Sequence, residues 1–178
     1  APNHADTLIC LARSLQEAQQ PEQAAPVFRQ LLALDGADAD KHRHTAHYQL
    51  GCILAGQGQR AVEQGNVQEA LTAYAQGGLA VFTDAAWHFA LGQLLEKAKD
   101  YPQAAHFYAQ AWDFNPQQAN YAYRLGRAHQ QNQDYDSAIA AYRQALALDP
   151  NHADTLICLA RSLQEAQQPE QAAPVFRQ

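Results

Sequence analysis

Three histidines and two aspartates crowd one short stretch of this chain: Asp38, Asp40, His42, His44 and His47. Imidazole nitrogens and carboxylates are suitable donors for a transition metal. Their spacing is loose, however, and no second set of ligands stands elsewhere, so the stretch reads as a solvated loop and not a metal centre. The segment "GQGQRA" beginning at Gly56 imitates a dinucleotide-binding fingerprint. That fingerprint works only between a strand and a helix, where its glycines let the backbone approach a pyrophosphate. Here it falls between helical patterns and is rejected. GxSxG, HExxH and the Walker-type GxxxxGKS/T are all missing, and no Ser, His and acid grouping is suggested by spacing. No catalytic residue, metal or cofactor is expected, which leaves recognition as the chemistry on offer.

The elements that would carry recognition follow from composition and repetition. A chain of 178 residues, 47 % of them hydrophobic, can bury the core of one domain. Its 12 Lys and Arg against 18 Asp and Glu give a net charge of -6, the wrong balance for displacing counterions from nucleic acid. No apolar run is long enough to span a bilayer, and no signal peptide opens the chain. The chain begins at Ala1 and contains no Met, which reads as an excised or processed piece, and any targeting segment could have been lost with the missing start. Cys10, Cys52 and Cys158 are odd in number and lack CxxC spacing. They read as small buried or half-buried side chains, with a lean towards a reducing compartment such as the cytoplasm.

Internal similarity is the main signal. "YQLGCIL", "FALGQLL" and "YRLGRAH" align on Gly51, Gly92 and Gly126, and "CLARSL" places Ala12 and Ala160 in the same slot. Twelve residues further on stand Ala24, Ala104, Ala138 and Ala172, each followed four residues later by Phe28, Tyr108, Tyr142 or Phe176. On a helix, a small residue admits a neighbouring helix and an aromatic one turn later fills the adjacent gap. Asp134, Asp100 and Gly65 with its flanking Asn mark turns between two helices of a unit, with Asp or Asn available to cap the second.

Unit starts at Ala85, Ala119 and Ala153 are 34 residues apart, and Pro116 and Pro150 stand near unit ends. With the L-G pair and the A-x3-aromatic step in register over essentially the whole chain, the sequence resembles the tetratricopeptide repeat family. The family's usual Trp slot holds Leu8, His47, His88, Ala122 and Leu156 instead, and Gly36 and Phe82 fill two Pro slots. The resemblance implies an all-α solenoid, a right-handed superhelix of about five hairpins in one domain. The units would be 5–38, 44–84, 85–118, 119–152 and 153–178, the last truncated. From His44 to Ala85 is 41 residues, and the seven extra ones in "AGQGQRAV" predict a first helix lengthened by about two turns. Gly56 and Gly58 weaken that helix by about 1 kcal/mol each. Five further residues in "DGADADKHRH" predict an exposed loop. Gly77-Gly78, inside the second helix of that unit, predicts a kink or a close helix approach.

In this family the first helices of the hairpins line a concave surface that holds a peptide. Carried over by slot, the fifth position of each gives Ile9, Tyr48, Phe89, Tyr123 and Ile157. One turn on come Arg13, Cys52, Gln93, Arg127 and Arg161, with Arg124 adjacent. Aromatic and Arg side chains together suit a peptide groove. The competing reading makes the aromatics part of inter-repeat packing and leaves the arginines solvated. Ile9 and Arg13 stand where some relatives carry a Lys and Asn clamp for chaperone tails, so that ligand is not expected.

A second repetition is literal. Residues 2–30 recur without change as residues 150–178, which implies recent duplication or, the reading favoured, deliberate engineering. The final helix stops at Gln178 where the first copy continues with Leu31-Leu32. An apolar edge left there would allow head-to-tail stacking or hairpin exchange. This makes self-assembly the second functional expectation beside a peptide-binding scaffold. The bland alternative is a terminal hairpin that merely caps the stack.

Overall fold

The computed structural model describes residues 4–175, and among these the chain is helix and turn without strand. Ten helices follow one another: α1 (His4–Glu17), α2 (Pro21–Leu32), α3 (Ala37–Glu63), α4 (Val67–Val81), α5 (Ala85–Lys97), α6 (Tyr101–Phe114), α7 (Ala119–Gln131), α8 (Tyr135–Leu148), α9 (Ala153–Glu165) and α10 (Pro169–Val175). Phe176 and the chain end at Gln178 lie outside the described residues. The helices group into two compact units, Ala1–Glu63 with Gln68–Phe82, and Gln64–Val67 with Thr83–Gln178. No described helix is long and apolar enough to cross a membrane.

In the second unit each helix packs on the next: α5 on α6, α6 on α7, α7 on α8, α8 on α9 and α9 on α10, with α7 also touching α9. The repeated small and aromatic residues make this possible. A Cβ on Gly92 would sit 2.8 Å from the Tyr108 ring, and one on Gly126 would sit 2.6 Å from the Tyr142 ring. Both rings are fully buried against the helices that carry these glycines, each burial contributing about 1.5 to 3 kcal/mol. The Trp slot of the α5–α6 hairpin is filled by His88, which is buried and stacked on Phe107 and Phe114 at centroid distances of 5.9 and 5.3 Å.

The turns inside the hairpins are built alike. Gln19, Lys99, Gln133 and Gln167 all adopt positive φ. In each turn the next N–H reaches back to a helix carbonyl: Gln20 to Leu15, Asp100 to Leu95, Asp134 to His129 and Gln168 to Leu163, at 2.8 to 2.9 Å. This left-handed step ends one helix and aims the chain into the next. Asp100 and Asp134 then cap α6 and α8, accepting from the N–H of Gln103 and Ser137 at 3.2 Å.

The Asp134 cap yields a pH-dependent prediction. Hydrogen bonding from Ser137 is the main cause holding the carboxyl below its ordinary 3.8, with nearby His129 adding to it. A folded-state pKa below the unfolded value stabilises above the unfolded pKa, and that contribution fades as pH falls through the folded pKa. Asp134→Ala should therefore cost about 1 kcal/mol at neutral pH. In urea titrations the gap between variant and parent should close below pH 3.8. A gap of constant size down to that range would rule out the cap as its source.

In the first unit α1, α2 and α3 enclose a core of Ala5, Leu8, Ile9, Ala12, Phe28, Leu31, Ala39, Ala46 and their neighbours. The segment expected as an exposed loop, "DGADADKHRH", is instead mostly helix, because α3 already begins at Ala37. Asp38 and Asp40 occupy its first turn, where carboxylates favour the helix N-terminus. They pair with Lys41 and Arg43 three residues on. Arg43 also donates to the carbonyls of Leu32 and Leu34 at 3.1 and 3.0 Å, closing the end of α2. Ala39 and Ala46, seven residues apart, are buried and anchor the extra turns. His42 is held at 2.8 Å from Asp6, and among the described residues no three metal-donor side chains converge.

From Ala37 the helix runs through Gly56 and Gly58 to Glu63. At the end of α4 the helix is broken at Gly78, whose φ of 58° and ψ of -164° belong to a region essentially restricted to glycine. A Cβ on the preceding Gly77 would lie 2.9 Å from Val81, so both glycines of the pair are required by the kink. Cys10 and Cys52 are exposed, and only Cys158 is half-buried. The expectation of sheltered thiols is corrected for the first two, which are open to solvent.

Candidate functional site

Glu96, near the end of α5, ties together a charged cluster in the second unit. It accepts a 2.7 Å hydrogen bond from the Tyr108 hydroxyl. It also meets Arg124 Nη1 at 3.3 Å and Arg127 Nη2 at 3.5 Å. The two arginines stand three residues apart on α7 and so share one helix face. Tyr108 reaches Glu96 because Gly92 lets its ring lie flat against α5. Burial pushes the Tyr108 phenol far above its ordinary 10.0, and the bond to Glu96 adds to that shift. The hydroxyl therefore remains a donor.

Around this hub lies an open cleft of about 470 Å³ lined by Gln93, Glu96, Lys97, Lys99, Tyr101, Arg124, Arg127 and Gln131. Four of these side chains are cationic, and Glu96 is the one carboxylate among the described lining residues. The patch is positive on a chain whose net charge is -6. One turn back on α5, Phe89 is half-buried. Its ring packs on Tyr121 at 4.7 Å and on Tyr108 at 5.5 Å, so its surface is shared between packing and solvent.

The structure thus brings Gln93, Arg124 and Arg127 together, with Phe89 beside them. Tyr123 is half-buried and turned to a smaller cleft with Asn120, Asp149 and Thr155. Its ring lies 5.3 Å from His152 and 6.2 Å from Tyr142. Ile157, Arg13 and Arg161 are exposed. In the first unit Tyr48 is 65 % exposed, at an apolar groove of about 500 Å³ that includes His47, Cys52, Gly77 and Val81. Ile9 is corrected: it is 3 % exposed and belongs to the core cluster that contains Ala39. The unanticipated first turns of α3 supply that cover, so Ile9 offers no surface to a ligand.

Sequence reasoning missed Glu96, Lys97, Lys99 and Tyr101. A signal was present in the 34-residue period: Glu96 bonds Tyr108 as Gln130 bonds Tyr142, at 2.7 and 2.8 Å. A polar residue twelve positions before a buried tyrosine is an acceptor for its hydroxyl.

Comparison with known proteins agrees with this architecture. Sequence models described as tetratricopeptide repeat match residues 55–119, 119–152 and 141–173, more than half of the chain. No curated protein gives a significant match. Among solved structures, a crystal structure of MamA is 16 % identical with a TM-score of 0.55, covering 99 % of this chain and 92 % of that one. MamA from Desulfovibrio magneticus RS-1 is 21 % identical with a TM-score of 0.53, covering 99 % and 93 %. YrrB, described as a TPR protein with an unusual peptide-binding site, is 19 % identical with a TM-score of 0.55, covering 96 % and 81 %. Helix pairs locked by a small residue against a buried aromatic, repeated in register with those family matches, place this chain in the tetratricopeptide repeat family, a non-enzymatic scaffold for protein interaction.

Proposed function

We propose that the chain holds a peptide or protein segment on the face formed by α5 and α7, and that the segment is acidic. The observation that carries this reading is the cleft in which Lys97, Lys99, Arg124 and Arg127 surround a single carboxylate. Guanidinium groups present a planar fork of donors that matches carboxylate oxygens. Their half-burial, at 30 % and 36 % side-chain exposure, fixes the forks and shields them from full solvent screening. Phe89 and Tyr121 add rigid aromatic surface beside the charge. Gln93 supplies a neutral polar contact between them. YrrB, which shares the fold, is a TPR protein with a peptide-binding site, and that precedent supports a peptide here.

The test is fluorescence anisotropy with two labelled peptide pools, one rich in Asp, Glu and aromatic residues and the other with the acids replaced by Lys. The acidic pool should bind, with affinity falling as salt rises. Arg127→Glu should weaken it by about tenfold or more, since a rim or cleft charge reversal removes one attraction and adds a repulsion. Equal binding of both pools, or binding unchanged by Arg127→Glu, would overturn the assignment.

A further inference from the structure

Residues 2–30 and 150–178 have one sequence, yet they bury different faces. In α1, Ala5, Leu8 and Ile9 are buried while Thr7, Leu11 and Ser14 face solvent. In α9 the pattern reverses: Thr155, Leu159, Ser162 and Leu163 are buried, while Ala153 and Ile157 are exposed. Leu11 is 47 % exposed and its duplicate Leu159 is 4 % exposed; Ile9 is 3 % exposed and its duplicate Ile157 is 52 %. Ala12 and Ala160, like Ala24 and Ala172, are buried in both copies, so the hairpins close internally in the same way. One helix sequence therefore carries two packing stripes at helical spacing. One stripe receives the helix that precedes the hairpin, and the other receives the helix that follows it.

We infer that the Thr7, Leu11 and Ser14 stripe of α1 is a docking surface for α8 of a second copy of this chain. Copies then join head to tail, the incoming α1–α2 hairpin taking the seat of α9–α10. The seat is already visible, because the identical residues of α9 occupy it: Leu159 and Leu163 pack with Ala138, Ile139 and Tyr142 of α8. Its register is pinned by Arg143 on Gln171 at 2.7 Å and by Gln168 on Asp136 at 3.5 Å. The corresponding Gln23 and Gln20 of the first copy are exposed and carry the same amide groups for the same bonds.

Since the contacting residues are the same, the seat does not distinguish the two hairpins by contact chemistry. Bracing distinguishes them. The α1–α2 hairpin packs against α3 on its far side, so it arrives already ordered. On α9 the matching stripe is open at Ile157, and releasing that hairpin returns conformational freedom to it. An interface joining unlike ends is heterologous: it builds a ring where its rotation closes and an open filament where it does not.

Sedimentation velocity over a range of concentrations tests this with full-length variants. Leu11→Glu alters a position that is exposed in the single chain, so its helical signal and melting temperature should match the parent. Its association should be at least tenfold weaker. Leu159→Glu unseats the chain's own hairpin and leaves α8 open while Leu11 stays intact, so it should associate more strongly than the parent. The double variant Leu11→Glu with Leu159→Glu should be monomeric. Arg127→Glu, aimed at the acidic-peptide cleft, should associate like the parent, which keeps the two proposals separate. A monomeric Leu159→Glu chain, association of the double variant equal to that of Leu159→Glu, or Leu11→Glu indistinguishable from an associating parent would each overturn the inference.

Discussion

Tyr142→Ala should destabilise the second unit by about 3 to 5 kcal/mol, the range for deleting a large aromatic from a closed core. The ring is fully buried and lies where a Cβ on Gly126 would stand 2.6 Å away, so glycine and tyrosine fill one space between them. Gly126 itself has no side chain that could move into the gap. The ring also joins Leu159 and Leu163 in the cluster that seats α9, so its loss loosens the next hairpin as well. Its hydroxyl is a lesser contribution. It donates to Gln130 at 2.8 Å, and the half-buried Gln130 side chain can turn to water when that donor is gone. Tyr142→Phe should accordingly cost only about 1 kcal/mol. Urea titrations followed by far-UV circular dichroism read both variants. An alanine variant no less stable than the phenylalanine variant would mean that the ring is not the keystone of the unit.

That glycine and tyrosine pair also explains how much of the fold is legible in the residues. The L-G step and the small-then-aromatic step recur because each is half of one contact, and both halves are written locally. The Asp100 and Asp134 caps are local in the same way. Other features depend on partners far along the chain. "DGADADKHRH" reads as a solvated loop because its charges dominate, yet Ala39 and Ala46 are seated against α1 and α2, and the charges pair with one another and cap α2. Ile9 and Ile157 set the limit of slot counting: the same residue in the same helix sequence is core in one place and surface in the other. Burial belongs to the neighbours, and a repeat sequence alone does not say which side of a hairpin has one. The candidate cleft was half legible. Arg124 and Arg127 follow from their slots on the first helix of a hairpin, whereas Glu96 joins them across 28 and 31 residues of sequence.

Glu96→Gln should lower stability and raise affinity for acidic peptides together. The carboxylate is 15 % exposed and meets Arg124, which is 30 % exposed, and Arg127, which is 36 % exposed. Removing the anion leaves two half-buried cations facing one another. Arg124 is the more committed of the pair, since its Nε is buried without an acceptor and its bond to Glu96 runs through Nη1. A fully buried pair broken on one side costs about 3 to 5 kcal/mol. With both guanidinium groups partly in water and the glutamine oxygen still able to accept from Tyr108, about 1 to 2 kcal/mol is expected. In the binding reading the same change frees both forks for an incoming carboxylate and removes the one group in the cleft that repels it. Affinity for the acidic peptide pool should rise by about threefold to tenfold, the size of one modest charge contact. Destabilisation accompanied by tighter, salt-sensitive binding would identify Glu96 as a placeholder for the ligand's own carboxylate. Destabilisation with unchanged or weaker binding would make the Glu96 cluster purely a brace between α5 and α7, and the acidic segment would have to be sought on another face.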